Sequence, residues 1–209
     1  ADHDGTSVLR AVATDGHRLA RVQLPMPEGG DGIPGVIVPR KAIGELRKLI
    51  EETTDPIEIA LSDTRACMTF DNAVLTSKLI DGTFPDYERV IPKGNDKVLT
   101  VDRGVFAQAV DRVSTISSEK SRAIKLAVAP GQLKLSATSA ENGSASEELE
   151  VVYGETEIEI GFNSRYLLDI TAQIESENAE FLLADASSPT IVRDGADESA
   201  LYVLMPMRV

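Results

Sequence analysis

Three helix signals, opening near residues 40, 102 and 164, recur roughly every 62 residues, each between a short apolar run and a series of runs that read as strands. Pro39 suits a first helical turn, and after it Ile43, Leu46, Leu49 and Ile50 fall at helical spacing, with Arg40, Lys41, Glu45, Arg47, Lys48 and Glu51 on the polar side. Asp102 is the expected N-cap of a second helix whose stripe is Phe106, Ala109, Val110 and Val113, leaving Arg103 and Arg112 outside. Ser164 is the expected N-cap of a third, with Leu167, Ile170 and Ile174 inward. A single unit of this kind cannot bury both its helix stripe and its sheet face. Two units therefore pair into a domain with two helices on antiparallel sheet, an α+β class.

The expected strands cover residues 8–13, 36–38, 57–61, 67–70, 73–80, 98–101, 123–129, 132–138, 146–153, 158–162, 180–184, 190–193 and 200–205. Residues 21–27 read as extended, and a polar corner at Thr14, Asp15 and Gly16 follows the first strand. Pro85 rules its loop out of a central strand, and PKGND at 92–96 is the clearest linker. These signals divide the chain into residues 1–92, a domain lacking its first helix, and residues 93–209, a complete two-unit domain. The chain opens ADHDGTSVLR, without Met and almost at once in a strand, so an earlier part of the protein is expected before Ala1.

A single cysteine, Cys67, makes no internal disulfide. No apolar run approaches the ~20 residues of a membrane span, and no basic-then-apolar leader opens the chain. A cytoplasmic location is expected. The formal charge of −13 argues against phosphate binding only if it is spread evenly. Cations gather on the helix signals, while Glu147, Glu148, Glu150, Glu155, Glu157 and Glu159 fall in strand segments.

The AVATDGHRLA stretch at 11–20 places Asp15 two residues from His17, which suggests an acid–base pair or a metal ligand. A metal site needs three or four ligands, and the other candidates, His3 and Cys67, lie in unrelated contexts. No nucleophile elbow or Gly-rich phosphate loop is present. Neither catalysis, a metal nor a cofactor is expected.

ATDGHRLA at 13–20, TSKLIDGTFPDYERVIP at 76–92, EIGFNSRYLLDI at 159–170 and the ending YVLMPMRV at 202–209 are colinear with, and resemble, the middle and third domains of the bacterial DNA polymerase III beta subunit, the beta sliding clamp. The resemblance implies a DNA-clamp fold of repeated helix and β-meander units with the helices on one face of the sheets. Full-length members would be head-to-tail homodimer rings that encircle duplex DNA without sequence preference and catalyse nothing. The polymerase catalytic subunit, the clamp loader, translesion polymerases and repair proteins would bind a pocket through short motifs resembling Gln-Leu-x-Leu-Phe.

Carried over by motif, the pocket residues are Thr14, Gly16, His17, Arg18 and Leu19 at the corner; Pro85, Arg89 and Val90 in the connection; Asn163 and Tyr166 at the third helix; and Val203, Leu204, Met205, Pro206, Met207 and Arg208 at the end. DNA would face Arg40, Lys41, Arg47, Lys48, Arg103, Arg112, Lys120 and Arg122. The subunit interface would include Thr115, Ile116 and Glu147. The chain departs from some family members at Ser121, where they carry an aromatic residue, and around Pro189; both changes would make the pocket rim less apolar. The rival reading is a helix-and-sheet interaction scaffold without DNA function, favoured if basic side chains scatter over all faces.

Overall fold

The computed structural model describes residues 2, 3, 5–117 and 122–209, with only the backbone for Asp2 and His3. It divides into two compact units, one formed by residues 1–25 and 87–209, the other by residues 26–86.

The larger unit holds a seven-stranded antiparallel sheet. In spatial order its strands are β1 (Asp2–His3), β2 (Thr6–Thr14), β3 (Arg18–Pro25), β14 (Ala200–Leu204), β13 (Thr190–Asp194), β12 (Asn178–Leu183) and β7 (Lys97–Asp102). A second, four-stranded sheet runs β10 (Gly143–Glu150), β9 (Gln132–Ser139), β8 (Ala123–Ala129) and β11 (Ile158–Asn163). Helices α2 (Arg103–Ser114) and α3 (Ser164–Thr171) complete the unit.

Alternation fixes which face each strand buries: in β8, Ile124, Leu126 and Val128 point in, and in β9, Leu133, Leu135 and Ala137 do. These side chains join Leu99, Val192 and Tyr202 of the other sheet and Phe106, Ala109, Val110 and Val113 of α2 in one core. Phe106 and Phe181 meet there at 5.2 Å between ring centres. On the opposite face of the seven-stranded sheet, Leu19, Val203 and Ile191 align through the β3–β14–β13 register and are also buried. Arg10 lies on that face too; it donates from Nε to Gln23 Oε1 (2.7 Å) and from Nη1 to the Tyr87 hydroxyl (2.9 Å). Asn95 Nδ2 donates to the carbonyls of Leu182 (2.7 Å) and Pro189 (2.9 Å), so the connecting stretch from Tyr87 to Asn95 is tied at both ends.

Caps explain the starts of α2 and α3. Asp102 accepts from Val105 N at 2.8 Å, as expected. For α3 the cap is Asn163, which accepts from Arg165 N at 3.0 Å; Ser164 is already the first helical residue and is buried, so the expected Ser164 cap is one residue late. The helix stops at Thr171. Ile174 is buried, but it lies beyond the helix.

The smaller unit holds α1 (Arg40–Leu49) and a three-stranded meander of β4 (Glu58–Leu61), β5 (Arg65–Phe70) and β6 (Ala73–Lys78). Its core is small: Ala66, Met68 and Phe70, with Leu46 and Ile50 among the partly buried side chains against them. Half of the expected α1 stripe is therefore solvent-facing within the unit, Ile43 being 48% and Leu49 51% exposed. Residues 36–38 are not a strand. Ile37 accepts one backbone bond from Ile80 N (2.9 Å), but flanking Pro34 and Pro39 have no N–H with which to extend a ladder.

Candidate functional site

The corner between β2 and β3 is closed by its own side chains. Asp15 Oδ1 accepts from the backbone N–H of His17 (3.0 Å) and of Arg18 (3.0 Å), and Thr14 Oγ1 donates to Arg18 O (2.9 Å) while accepting from Gly16 N (3.2 Å). Gly16 adopts φ +85°, which an L side chain rarely tolerates. Asp15 Oδ2 accepts from Arg18 Nε at 3.1 Å, so both carboxylate oxygens hold the turn and Arg18. The Asp15–His17 relation is thus a backbone turn contact. No group of three or more His, Cys, Asp or Glu side chains that could hold a metal occurs among the described residues.

Arg18 is the centre of the corner. Nη1 donates to Asp169 Oδ2 of α3 at 2.6 Å, and its guanidinium carbon stands 4.2 Å from the centre of the Tyr166 ring. Burial lowers the Arg18 pKa, but the bonds to Asp169 and Asp15 outweigh it, and the net shift is upward. For Asp15, burial acts upward and is outweighed by the His17 and Arg18 bonds, which hold its carboxyl below the usual value.

The C-terminal stretch reaches the same place through the sheet. Val203 pairs with Leu19 and Leu204 with Arg18, after which Met205 N donates to His17 O at 3.0 Å. Beyond β14 the chain crosses to the other sheet, where Met207 N donates to Gly161 O at 2.9 Å. Gly161 permits this approach: a Cβ there would lie 2.5 Å from Met207 O. Val203 and Leu204 are buried, Pro206 and Met207 are half-buried, and Met205 and Arg208 are exposed.

Thr14, Gly16, His17, Arg18, Leu19, Tyr166 and residues 203–207 are therefore joined by pairing, hydrogen bonds and the ring contact, with Asn163 capping the helix that carries Tyr166. Arg89 ends a 3-10 turn, Tyr87–Arg89, attached to β2 through Arg10, and Val90 follows it with N donating to Tyr87 O (3.0 Å). Pro85 belongs to the smaller unit. Asp15, Gly161 and Asp169 are the residues that sequence reasoning did not assign to this site. A glycine inside a strand pattern signals a close backbone approach, and Asp169, three residues after Tyr166, shares its helix face.

Among the residues expected to meet DNA, Arg40, Lys41, Arg47 and Lys48 are exposed on α1, with Lys48 Nζ 3.2 Å from Glu45 Oε1. Arg112 is engaged by Glu147, Nε to Oε2 at 3.0 Å and Nη2 to Oε1 at 2.5 Å, which joins an expected DNA-facing residue to an expected interface residue. Arg103 is half-buried and its buried Nε has no hydrogen-bond partner among the described residues. Arg122 adopts φ +46° and its carbonyl accepts from Ser164 N at 2.8 Å, setting the entry to α3. Lys120 and Ser121 lie outside the described residues. Thr115 caps the C-terminus of α2, Ile116 packs partly against the main core, and Glu147 sits on edge strand β10.

This arrangement is the fold of the DNA sliding clamps. The crystal structure of a DnaN sliding clamp (DNA polymerase III subunit beta) from Bartonella birtlesii bound to griselimycin matches with a TM-score of 0.96 at 54% identity, over 100% of this chain and 56% of that one. The family model for the DNA polymerase III beta subunit, central domain, matches residues 3–86, and that for its C-terminal domain matches residues 88–208. The chain belongs to the DNA polymerase III beta subunit family. It is 56% identical over 205 residues to the beta sliding clamp of Caulobacter vibrioides strain NA1000 / CB15N, covering 98% of this chain and 55% of that protein. To the beta sliding clamp of Escherichia coli strain K12 it is 41% identical over 203 residues, covering 96% and 55%. The chain thus spans about half the length of the curated relatives it matches.

Proposed function

We propose that this chain serves as part of a DNA sliding clamp, a non-catalytic cytoplasmic processivity subunit that encircles duplex DNA and tethers the replicative polymerase and other partners. Residues 1–92 act as a partial middle domain and residues 93–209 as the complete third domain. Tethering raises the effective concentration of a polymerase at the primer end, which converts frequent dissociation into rebinding. Polymerase, clamp loader, translesion polymerases and repair proteins exchange on one peptide-binding site. No helix among the described residues is long and apolar enough to cross a membrane.

The observation that carries this reading is the convergence at Arg18 of three distant stretches: the 14–19 corner, the first turns of α3 and the 203–207 ending. The corner combines donors, an aromatic face and a partly exposed methionine, which suits short peptides of varied sequence. Burying two apolar peptide side chains at about 1.5–3 kcal/mol each, with a few hydrogen bonds and less the ordering cost, gives affinity on the order of micromolar. Fluorescence anisotropy with a labelled peptide carrying Gln-Leu-Ser-Leu-Phe tests it. Deleting residues 205–209 should abolish binding, and Arg112→Ala, on α2, should leave it unchanged. Full affinity after the deletion, or no binding by the intact chain, refutes the assignment.

A further inference from the structure

We infer that Asp169 is a positioning residue of the peptide site: it pins the Arg18 guanidinium against the Tyr166 ring, so that the remaining N–H groups of Arg18 are presented to backbone carbonyls of a bound peptide. The inference rests on the reading of this corner as a peptide site.

The geometry supplies each step. A guanidinium carries five donors in a rigid plane, and an arginine that must offer a defined edge needs that plane fixed. Asp15 fixes one position, through Nε at 3.1 Å, and Asp15 is itself held by two backbone N–H groups. A single bond at Nε leaves the far end of the plane free to swing. Asp169 removes that freedom by taking Nη1 at 2.6 Å, while Tyr166 supports the plane at 4.2 Å. Tyr166 and Asp169 lie three residues apart on α3 and share one helix face, so the ring and the carboxylate move as one body. No other hydrogen bond from the Arg18 guanidinium occurs among the described residues, which leaves the Nη2 N–H groups unengaged.

Packing separates this role from a structural one. α3 is anchored through buried Leu167 and Ile170, whereas the Asp169 side chain is 46% exposed and its hydrogen bond is to Arg18. Removing its charge should leave the fold in place, because exposed pairs of this kind add little stability. The effect should fall on the orientation of Arg18 instead.

The test is a double-mutant cycle on Asp169→Asn and Arg18→Ala, read by anisotropy with the Gln-Leu-Ser-Leu-Phe peptide, with thermal midpoints measured alongside. Asp169→Asn should weaken peptide binding about three- to tenfold, the size of one charge-assisted bond removed at a partly exposed site. It should have no further effect once Arg18 is alanine, and the midpoint should not move. A second readout needs no peptide: NMR of the Tyr166 ring should shift in Asp169→Asn as the guanidinium loosens, and Asp169→Glu should restore part of that shift. Equal weakening in both backgrounds, or an unmoved Tyr166 resonance, overturns the inference while leaving the peptide site standing. Loss of binding by the wild-type chain would instead remove the underlying function reading, and the Tyr166 resonance would still decide whether Asp169 holds Arg18.

Discussion

Gly161→Ala is the sharpest available perturbation of the C-terminal ending, because it acts without touching a side chain that a partner would contact. The new Cβ would lie 2.5 Å from Met207 O and 2.5 Å from Val209 Cγ1. Val209 ends the chain and can move, but Met207 O is backbone, so the stretch must lift from β11 and lose the Met207 N to Gly161 O bond. One hydrogen bond is worth about 1 kcal/mol net. Displacing Met205 and Met207 removes on the order of another 1 kcal/mol of apolar burial from a bound peptide. The lost hydrogen bond is a cost to the fold, so peptide binding should weaken by about the 1 kcal/mol of lost burial, or roughly fivefold in Kd. Global stability should fall by no more than about the value of that one bond, because the displaced residues follow the last strand. Anisotropy titration with the Gln-Leu-Ser-Leu-Phe peptide measures the first quantity and urea denaturation the second. A variant that binds within twofold of wild type would show that the placement of residues 205–207 over β11 does not build the site.

Asp194 provides a pH-dependent test of the fold. Burial acts to raise its pKa, but hydrogen bonds from Ser176, Ala196 and Glu175 outweigh this and hold it well below the ordinary 3.8. Its stabilisation is therefore complete above the unfolded-state value near 3.8 and is lost as pH falls through the depressed folded value. Asp194→Asn should lower stability at neutral pH and flatten the acid limb in urea titrations; an unchanged limb would refute the assignment. DNA binding by the chain should be weak and should fall steeply with salt. Replacing Arg40, Lys41, Arg47 and Lys48 with alanine should reduce the slope of log K against log salt by about 0.9 for each phosphate that is no longer neutralised, and an unchanged slope would place DNA elsewhere.

The repeat was legible because its determinants are local. Phe106, Ala109, Val110 and Val113 are fully buried at the helical spacing that announces them, and Asp102 caps as its position suggests. Where two neighbouring residues can both cap, sequence alone does not decide: Asn163 precedes Ser164, and the fold puts Ser164 inside the buried first turn. The α1 stripe shows a different limit. Its periodicity states that Ile43 and Leu49 belong to an apolar face, but whether that face is covered depends on what packs against it, and within the described unit both remain about half exposed.

The Arg18 corner was legible only as far as its motifs carried it. Arg18 and Tyr166 stood out within their own short stretches, yet nothing local relates Arg18 to Asp169, 151 residues away. Their meeting depends on two long-range pairings: β3 on β14, and β11 against Met207. The same logic applies to charge. Arg112 reads as an unpaired cation on a helix, but β10 brings Glu147 to it through two hydrogen bonds, so its charge is already largely answered. The cations on α1 are less committed, with Lys48 to Glu45 the ion pair that involves them among the described residues. A count of basic residues along the sequence therefore overstates what α2 can offer to phosphate, and the exposed cations of α1 should carry the larger share of any salt-dependent binding.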